Sequence, residues 1–112
     1  IFDMETIGGL AASAEVDTVA LYDDGHELTV IAQPRFNYET LSRTTHLTIW
    51  QRGDSGWHRA DEAHHARGYP VQAIRTVLER CGFKLHALLG PDMQPVDPAA
   101  ELPARVVFVA AK

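Results

Sequence analysis

The sequence has few of the features that mark secreted, membrane-spanning or nucleic-acid-binding proteins. Its only cysteine, Cys81, excludes an internal disulfide and favours a reducing, cytoplasmic location. No apolar run approaches the roughly 20 residues of a membrane span, and no signal peptide is expected. Ten Lys and Arg against fifteen Asp and Glu give a formal charge of −5. This balance disfavours nucleic acid and anionic membranes as partners.

The composition that remains is that of an ordinary water-soluble globular domain. Of the 112 residues, 46% are hydrophobic and 22% are charged, which is enough for one core. The chain opens with Ile1-Phe2-Asp3-Met4, which has the pattern of the end of a buried strand. We therefore expect further sequence in front of Ile1. Residues 5–14 are small and include two glycines, which predicts a loop with one weak helical turn.

Period-two alternation predicts a pair of half-buried antiparallel strands in the first half of the chain. Apolar and polar residues alternate from Glu27 to Phe36 and again from Leu41 to Gln51. A register with Val30 opposite Leu47 places the apolar residues of both strands on one side. A short strand over residues 16–22, ended by a turn at Asp23-Asp24-Gly25, is expected before them.

A third strand of this sheet is expected from Trp57 to about Arg67. Its register stays open, because a slip of one residue exchanges the two faces. The turn before it contains Gly53-Asp54-Ser55-Gly56, which resembles the tetrapeptide around the nucleophile of chymotrypsin-like proteases. Gly, Asp and Ser are also the residues that tight turns select, and a hairpin is the favoured interpretation.

After Tyr69-Pro70 the hydrophobic period becomes helical. Apolar residues recur at i, i+3, i+4 and i+7 from Ile74 to Cys81, with Gly82 as the expected stop, so Cys81 is predicted to be buried. Lys84 to Leu89 is predicted to be a strand, and residues 90–103, with four prolines, a long loop. Arg105 to Ala111 is a near-continuous apolar strand, a pattern typical of cover on both faces.

Taken in order, these segments resemble a known family. Residues 1–6, 62–70, 78–83 and 106–112 read IFDMET, EAHHARGYP, LERCGF and VVFVAAK. In this order and spacing they resemble the C-terminal part of a class I S-adenosylmethionine-dependent methyltransferase acting on small molecules. The resemblance implies an α/β fold, the C-terminal part of a Rossmann-like sheet with an inserted antiparallel β-sheet of three or four strands and one main helix.

The resemblance also implies how one partial domain is arranged. Residues 1–15 would hold the end of the fifth strand and a loop, and residues 16–68 the antiparallel insertion that covers the acceptor pocket. Residues 69–112 would hold the helix, the sixth strand and the antiparallel seventh strand.

The function implied is the acceptor side of such a methyltransferase. The family's glycine-rich loop and its ribose-binding acidic residue have no counterpart here, so most of the S-adenosylmethionine site would lie outside this chain. Asp3 and Glu5 would lie near the methyl donor. The chain would be a fragment, a split protein or a relic. It would require an N-terminal cofactor-binding segment or a second copy, and it is not expected to catalyse alone.

The family's Glu-x-His-x-x-Arg-x-Tyr pattern supplies the candidate site residues. Its matches are Glu62, His64, Arg67 and Tyr69, with His64 as the base, since an imidazole exchanges protons near neutral pH. In one register His46 faces Glu62 and Thr44 faces His64. The acceptor would then meet a polar face formed by these residues: Gln33, Thr44, His46, Glu62 and His64. An ordinary solvated sheet face is the competing interpretation.

Two further interpretations concern metal binding and a rival function. No metal site is expected, because the neighbouring His64 and His65 point to opposite faces of a strand and Asp23-Asp24 lacks EF-hand spacing. The rival function is a stand-alone, non-catalytic α+β module that binds a ligand or a partner chain and oligomerises through its apolar strands. The acceptor itself, and the choice among N-, O- and C-methylation, stay open.

Overall fold

The structure, a computed structural model, describes all residues from Ile1 to Lys112. Two helices and seven strands form in the order β1 (Phe2–Glu5), α1 (Ile7–Ala12), β2 (Val19–Asp23), β3 (Leu28–Asn37), β4 (Ser42–Gly53), β5 (Gly56–Arg67), α2 (Val71–Arg80), β6 (Lys84–Leu89) and β7 (Arg105–Ala111). The chain divides into two compact units. The first comprises Ile1–Ala12 with Gly68–Lys112, and the second is Ser13–Arg67.

The first unit is a three-stranded sheet covered by α2. Strand β7 lies between β1 and β6 and is antiparallel to both. Val106 and Phe108 of β7 are completely buried, and Phe108 stacks on Phe2 with ring centroids 4.9 Å apart. Val107 and Val109 on the other face are half-buried. The face of β7 that carries Val106 and Phe108 is therefore completely buried, and the opposite face is only partly buried. The sequence predicted that both faces would be buried.

Helix α2 ends as its sequence predicts. The Phe83 N–H donates to the Leu78 carbonyl (2.9 Å) and the Gly82 N–H to the Glu79 carbonyl (3.0 Å), which is a Schellman motif. Gly82 has φ of 82°, a conformation that glycine adopts without strain. With ten residues, α2 is the longest helix, and neither helix could cross a bilayer.

The prediction that Cys81 is buried is wrong. Its side chain is exposed, while Val71, Ile74 and Leu78 pack against the sheet. Cys81 is the C-cap of α2, with φ of −85° and ψ of 5°. The chain leaves the helix at this residue, so the apolar stripe that predicted its burial stops one turn earlier.

The second unit is an antiparallel meander in the order β2-β3-β4-β5. Val30 pairs with Ile49 and not with Leu47, so the predicted register is wrong by two residues. The cause is Leu41, which has φ of 52° and closes a four-residue turn that pairs Asn37 with Ser42. A shift of two residues preserves the side-chain faces, so the apolar residues still share one side.

A two-residue turn sets the register that the sequence left open. Gly53 pairs directly with Gly56, so only Asp54 and Ser55 lie between β4 and β5. Gly56 has φ of 119°, outside the range that side chains readily allow. The Gly-Asp-Ser-Gly segment is therefore a hairpin turn.

The carboxylate of Asp24 organises the turn between β2 and β3. It accepts hydrogen bonds from the backbone N–H groups of His26 (2.9 Å), Glu27 (2.8 Å) and Leu28 (3.0 Å). These bonds lower the pKa of Asp24 from 3.8 to about 2, because they stabilise the charged form. The bond from the Leu28 N–H has the largest effect.

This lowered pKa predicts an acid-sensitive contribution to stability. Because the folded-state pKa lies below the unfolded value, the contribution is complete above about pH 4 and is lost as the pH falls towards 2. We expect Asp24→Asn to melt at a lower temperature than the native chain at about pH 6, and this difference to shrink at pH 2. Asp54→Asn, which removes the same charge from the turn between β4 and β5, is the control. A difference between Asp24→Asn and the native chain that does not vary with pH would contradict the assignment.

Candidate functional site

The first unit contains a cavity of about 470 Å³ at one edge of its sheet. Its lining comes from four stretches, namely Thr6 with α1, Tyr69-Pro70, the start of α2, and residues 100–104 before β7. Thr6 directly follows the carboxyl end of β1, and residues 100–104 directly precede β7, which is antiparallel to β1. Ligands of open α/β sheets bind beyond the carboxyl ends of the strands, and this volume is typical of ligand sites.

The cavity wall is fastened by Thr6, the one buried polar side chain of the chain, which is 4% exposed. Its hydroxyl donates to the Pro103 carbonyl (2.8 Å) and accepts from the Gly9 N–H (3.1 Å). Its backbone N–H donates to the Ala104 carbonyl (2.9 Å). These bonds join α1 to the segment that leads into β7, so two walls of the cavity are held at a fixed separation.

Gly9 allows α1 to approach that segment closely. A Cβ built on Gly9 would lie 2.1 Å from the Ala104 carbonyl oxygen, which is well inside van der Waals contact. Gly8, the neighbouring lining residue, has no atom within 4 Å of such a Cβ. The two glycines therefore differ in the space around them, and only at Gly9 does the close contact require a residue without a side chain.

The chemical character of the cavity is apolar, with two ionisable residues in its lining. These are Tyr69, whose residue surface is 46% exposed, and Glu101. Tyr69 is one of the substrate-binding residues predicted from the sequence. Sequence reasoning missed Glu101, because it lies in a proline-rich stretch with no periodicity or motif to single it out.

The predicted cofactor-binding residues Asp3 and Glu5 lie on β1 and do not line this cavity. The Asp3 carboxylate forms an ion pair with the guanidinium of Arg105 on β7. Glu5 is half-buried and lies opposite Arg105 in the register. Asp3 is thus engaged in a contact between strands, and any contact with a cofactor would compete with that ion pair.

In the second unit, Glu62 and His64 form a hydrogen-bonded pair on β5. The distance from His64 Nε2 to Glu62 Oε2 is 2.8 Å, and the side chains are 61% and 53% exposed. Two residues apart on one strand, they point to the same face. The exposed imidazole next to a carboxylate has the geometry of a general base that a second group orients.

The polar face expected from the sequence is not a single face. Thr44 pairs with His65 and His46 with Ala63, one residue away from the register in which Thr44 faces His64 and His46 faces Glu62. The two-residue turn between β4 and β5 produces this offset, and an offset of one residue exchanges faces.

The structure consequently divides the predicted substrate residues between the two faces of the meander. Gln33 pairs with His46. On the same face, the Thr44 hydroxyl and His65 Nδ1 share a hydrogen bond of 3.0 Å. Arg67, opposite Ser42, also belongs to this face. Glu62 lies opposite Leu47, and therefore shares the other, more apolar face with His64. No three His, Cys, Asp or Glu side chains in the chain are grouped to hold a metal.

Comparisons with known proteins find similarity over nearly the whole chain. No family model matches the chain. All 112 residues match the Bacillus subtilis (strain 168) protein named "Putative methyltransferase YqeM" at 27% identity, covering 44% of its length. The crystal structure of an S-adenosylmethionine-dependent methyltransferase from Clostridium acetobutylicum ATCC 824 superposes on 97% of this chain and 42% of its own, with a TM-score of 0.73 and 17% identity. The resemblance to S-adenosylmethionine-dependent methyltransferases is confirmed.

The chain therefore has an α/β fold similar to part of a methyltransferase, with mostly antiparallel sheets. It spans less than half the length of each of these two proteins. Its residues do not by themselves fit S-adenosylmethionine. The only helix that contains glycines and follows a strand is α1, which has six residues. The carboxylate of Asp3, on the preceding strand, is already paired with Arg105.

Proposed function

We propose that this chain forms the acceptor-side portion of a small-molecule methyltransferase that uses S-adenosylmethionine. The observation that carries the proposal is the position of the cavity, at the carboxyl end of β1 on a methyltransferase-like sheet. In this proposal the cavity binds the methyl acceptor and Tyr69 contacts it. The sheet is the C-terminal part of a Rossmann-like sheet, and β2–β5 form an insertion.

A separate part of the proposal concerns the second unit taken by itself, where the Glu62–His64 pair is the candidate proton acceptor. An amine or hydroxyl loses a proton when it is methylated, and the exposed imidazole of His64 is able to take it. Glu62, at hydrogen-bonding distance, would orient the ring. The other predicted substrate-binding residues, Gln33, Thr44, His46 and Arg67, lie on the face of the meander opposite His64, and their contact with the acceptor stays a prediction.

The cofactor would be held mainly by protein outside these 112 residues. Since the family's glycine-rich loop and ribose-binding acidic residue have no counterpart in these residues, the proposal requires either an N-terminal cofactor-binding segment or a second copy of the chain. Asp3 would approach the cofactor only after exchanging its Arg105 partner, whereas Glu5 lies closer to the end of β1.

A chimera tests this proposal. The segment of the Bacillus relative that this chain matches is replaced by the 112 residues, and release of S-adenosylhomocysteine is measured over a panel of amines, alcohols and carbon acids. This readout does not require the acceptor to be known. We expect at least one class of acceptor to support release, and His64→Ala to reduce the rate by about 100-fold, the usual contribution of a general base.

Matched variants separate catalysis from folding. His86→Ala removes an exposed histidine from β6 and should leave the rate unchanged. Circular dichroism establishes that each chimera is folded. A folded chimera that releases no S-adenosylhomocysteine with any acceptor would contradict the proposal, and equal rates for the two histidine variants would remove His64 from it.

A non-catalytic module remains the second candidate, and the burial in the first unit favours it. Val106 and Phe108 are already fully covered within that unit, so its core does not require another chain. The oligomer that the apolar strands predicted from the sequence is therefore not needed to cover this core, and this function now predicts that the 112 residues are a monodisperse monomer that unfolds cooperatively. Size-exclusion chromatography and a thermal melt decide the point, because aggregation or obligate pairing would contradict a stand-alone module.

A further inference from the structure

We infer that the 470 Å³ cavity selects an organic cation with a compact apolar body, and that Glu101 is the residue that determines this specificity. The inference rests on the proposed function only in treating this ligand as the methyl acceptor. As a statement about binding, it concerns the residues of the cavity alone.

The charge of the lining is the first argument. Among the twelve lining residues Glu101 is the only one that carries a charge at neutral pH, and no Lys, Arg or His is present. A carboxylate or phosphate on a ligand would meet a like charge, with no cationic side chain in the lining to compensate it. An ammonium group would instead meet an opposite charge.

The apolar surface is the second argument. Apart from Thr6, Tyr69 and Glu101, the lining consists only of aliphatic, glycine and proline residues. The Thr6 hydroxyl already donates to Pro103 and accepts from Gly9. A ligand with several hydroxyl groups would find few partners here, whereas an apolar body would bury well.

Tyr69 supplies the third argument. The face of an aromatic ring attracts a cation within about 6 Å, and a tyrosine hydroxyl adds a hydrogen-bonding group. Tyr69 and Glu101 are contributed by separate segments of the lining, before α2 and before β7. Together they offer an organic cation both kinds of favourable contact, and the chain's net charge of −5 attracts cations over longer distances.

Three probes that share one ring and differ in charge test the inference. The ¹⁵N-labelled 112-residue chain is titrated with phenethylamine, 2-phenylethanol and 3-phenylpropionate, and the amide shifts of Gly8, Gly9, Val71 and Ala104 are followed. We expect saturable shifts with the amine, about tenfold weaker binding of the acid, and intermediate binding of the alcohol. Glu101→Gln should weaken amine binding about fivefold and leave alcohol binding unchanged.

Glu39→Gln, which removes the same charge from the turn between β3 and β4, should change none of these affinities. Equal affinities for the three probes, preference for the acid, or no shift with the amine would each overturn the inference. Its failure is distinguishable from that of the proposed function. If the chimera releases S-adenosylhomocysteine but the chain binds the three probes equally, the inference is wrong and the proposed function is retained. If the chimera is inactive but the chain prefers the amine, the inference is retained and the proposed function is wrong.

Discussion

Gly9→Ala is expected to lower the free energy of unfolding by about 3 kcal/mol or more, or to prevent folding of the first unit. The added Cβ would lie 2.1 Å from the Ala104 carbonyl oxygen and 2.8 Å from the Ala104 carbonyl carbon and Cα. All three are backbone atoms, so no side-chain rotation relieves the overlap. Either α1 or the segment before β7 must move.

That movement would break the bonds that fasten the cavity. Thr6 joins α1 to Pro103 and Ala104 through its hydroxyl and its backbone N–H. We therefore expect the amides of Thr6 and Gly9 to lose protection against hydrogen exchange in Gly9→Ala. A urea titration gives the loss of stability.

Gly8→Ala is the matched control for this prediction. It makes the same chemical change one residue earlier in α1, where no atom lies within 4 Å of the new Cβ. Because alanine favours helix over glycine, Gly8→Ala should be neutral or stabilising by up to about 1 kcal/mol. Similar losses in both variants would show that helix geometry, and not the contact with Ala104, governs this site.

Phe108→Ala is expected to cost about 3–5 kcal/mol, the usual range for truncating a fully buried aromatic side chain. Phe108 is 0% exposed and lies at the centre of the first unit. It stacks on Phe2 of β1 and pairs with Leu88 of β6, so its ring links all three strands of the sheet. The substitution leaves a cavity that the surrounding strands cannot close.

Phe2→Ala provides the comparison, because Phe2 is 41% exposed and occupies the edge strand. It should cost clearly less than Phe108→Ala in the same urea titration. A Phe108→Ala protein as stable as Phe2→Ala would mean that the sheet core does not depend on this ring. The methyltransferase-like arrangement of β1, β7 and β6 would then lose its physical basis.

The local elements of this protein were predictable where one pattern dominated. The strands at residues 84–89 and 105–111 and the glycine stop of α2 follow from runs of apolar residues and from one φ requirement. The face of each residue in β3 and β4 also follows, because alternation with period two survives a shift of two residues. Each of these features is decided by neighbours in the chain.

The register and the polar faces were not predictable, because they depend on turn geometry. Leu41 adopts a positive φ that its side chain gives no reason to expect, and this residue moves β3 against β4 by two positions. The two-residue turn at Asp54-Ser55 then sends Glu62 and His64 to the face opposite Thr44. A single residue of difference in a turn redistributes a whole predicted site.

The sequence by itself determined the strands, the main helix and the likeness to a methyltransferase, because periodicity and motif order are properties of the chain read from end to end. Only the tertiary structure decided where a ligand has room. The cavity is built by residues from four separate stretches, and Gly9 and Glu101 acquire their significance from neighbours far away in sequence. Contacts of that kind arise when α1 packs against the segment before β7, and no local pattern encodes them.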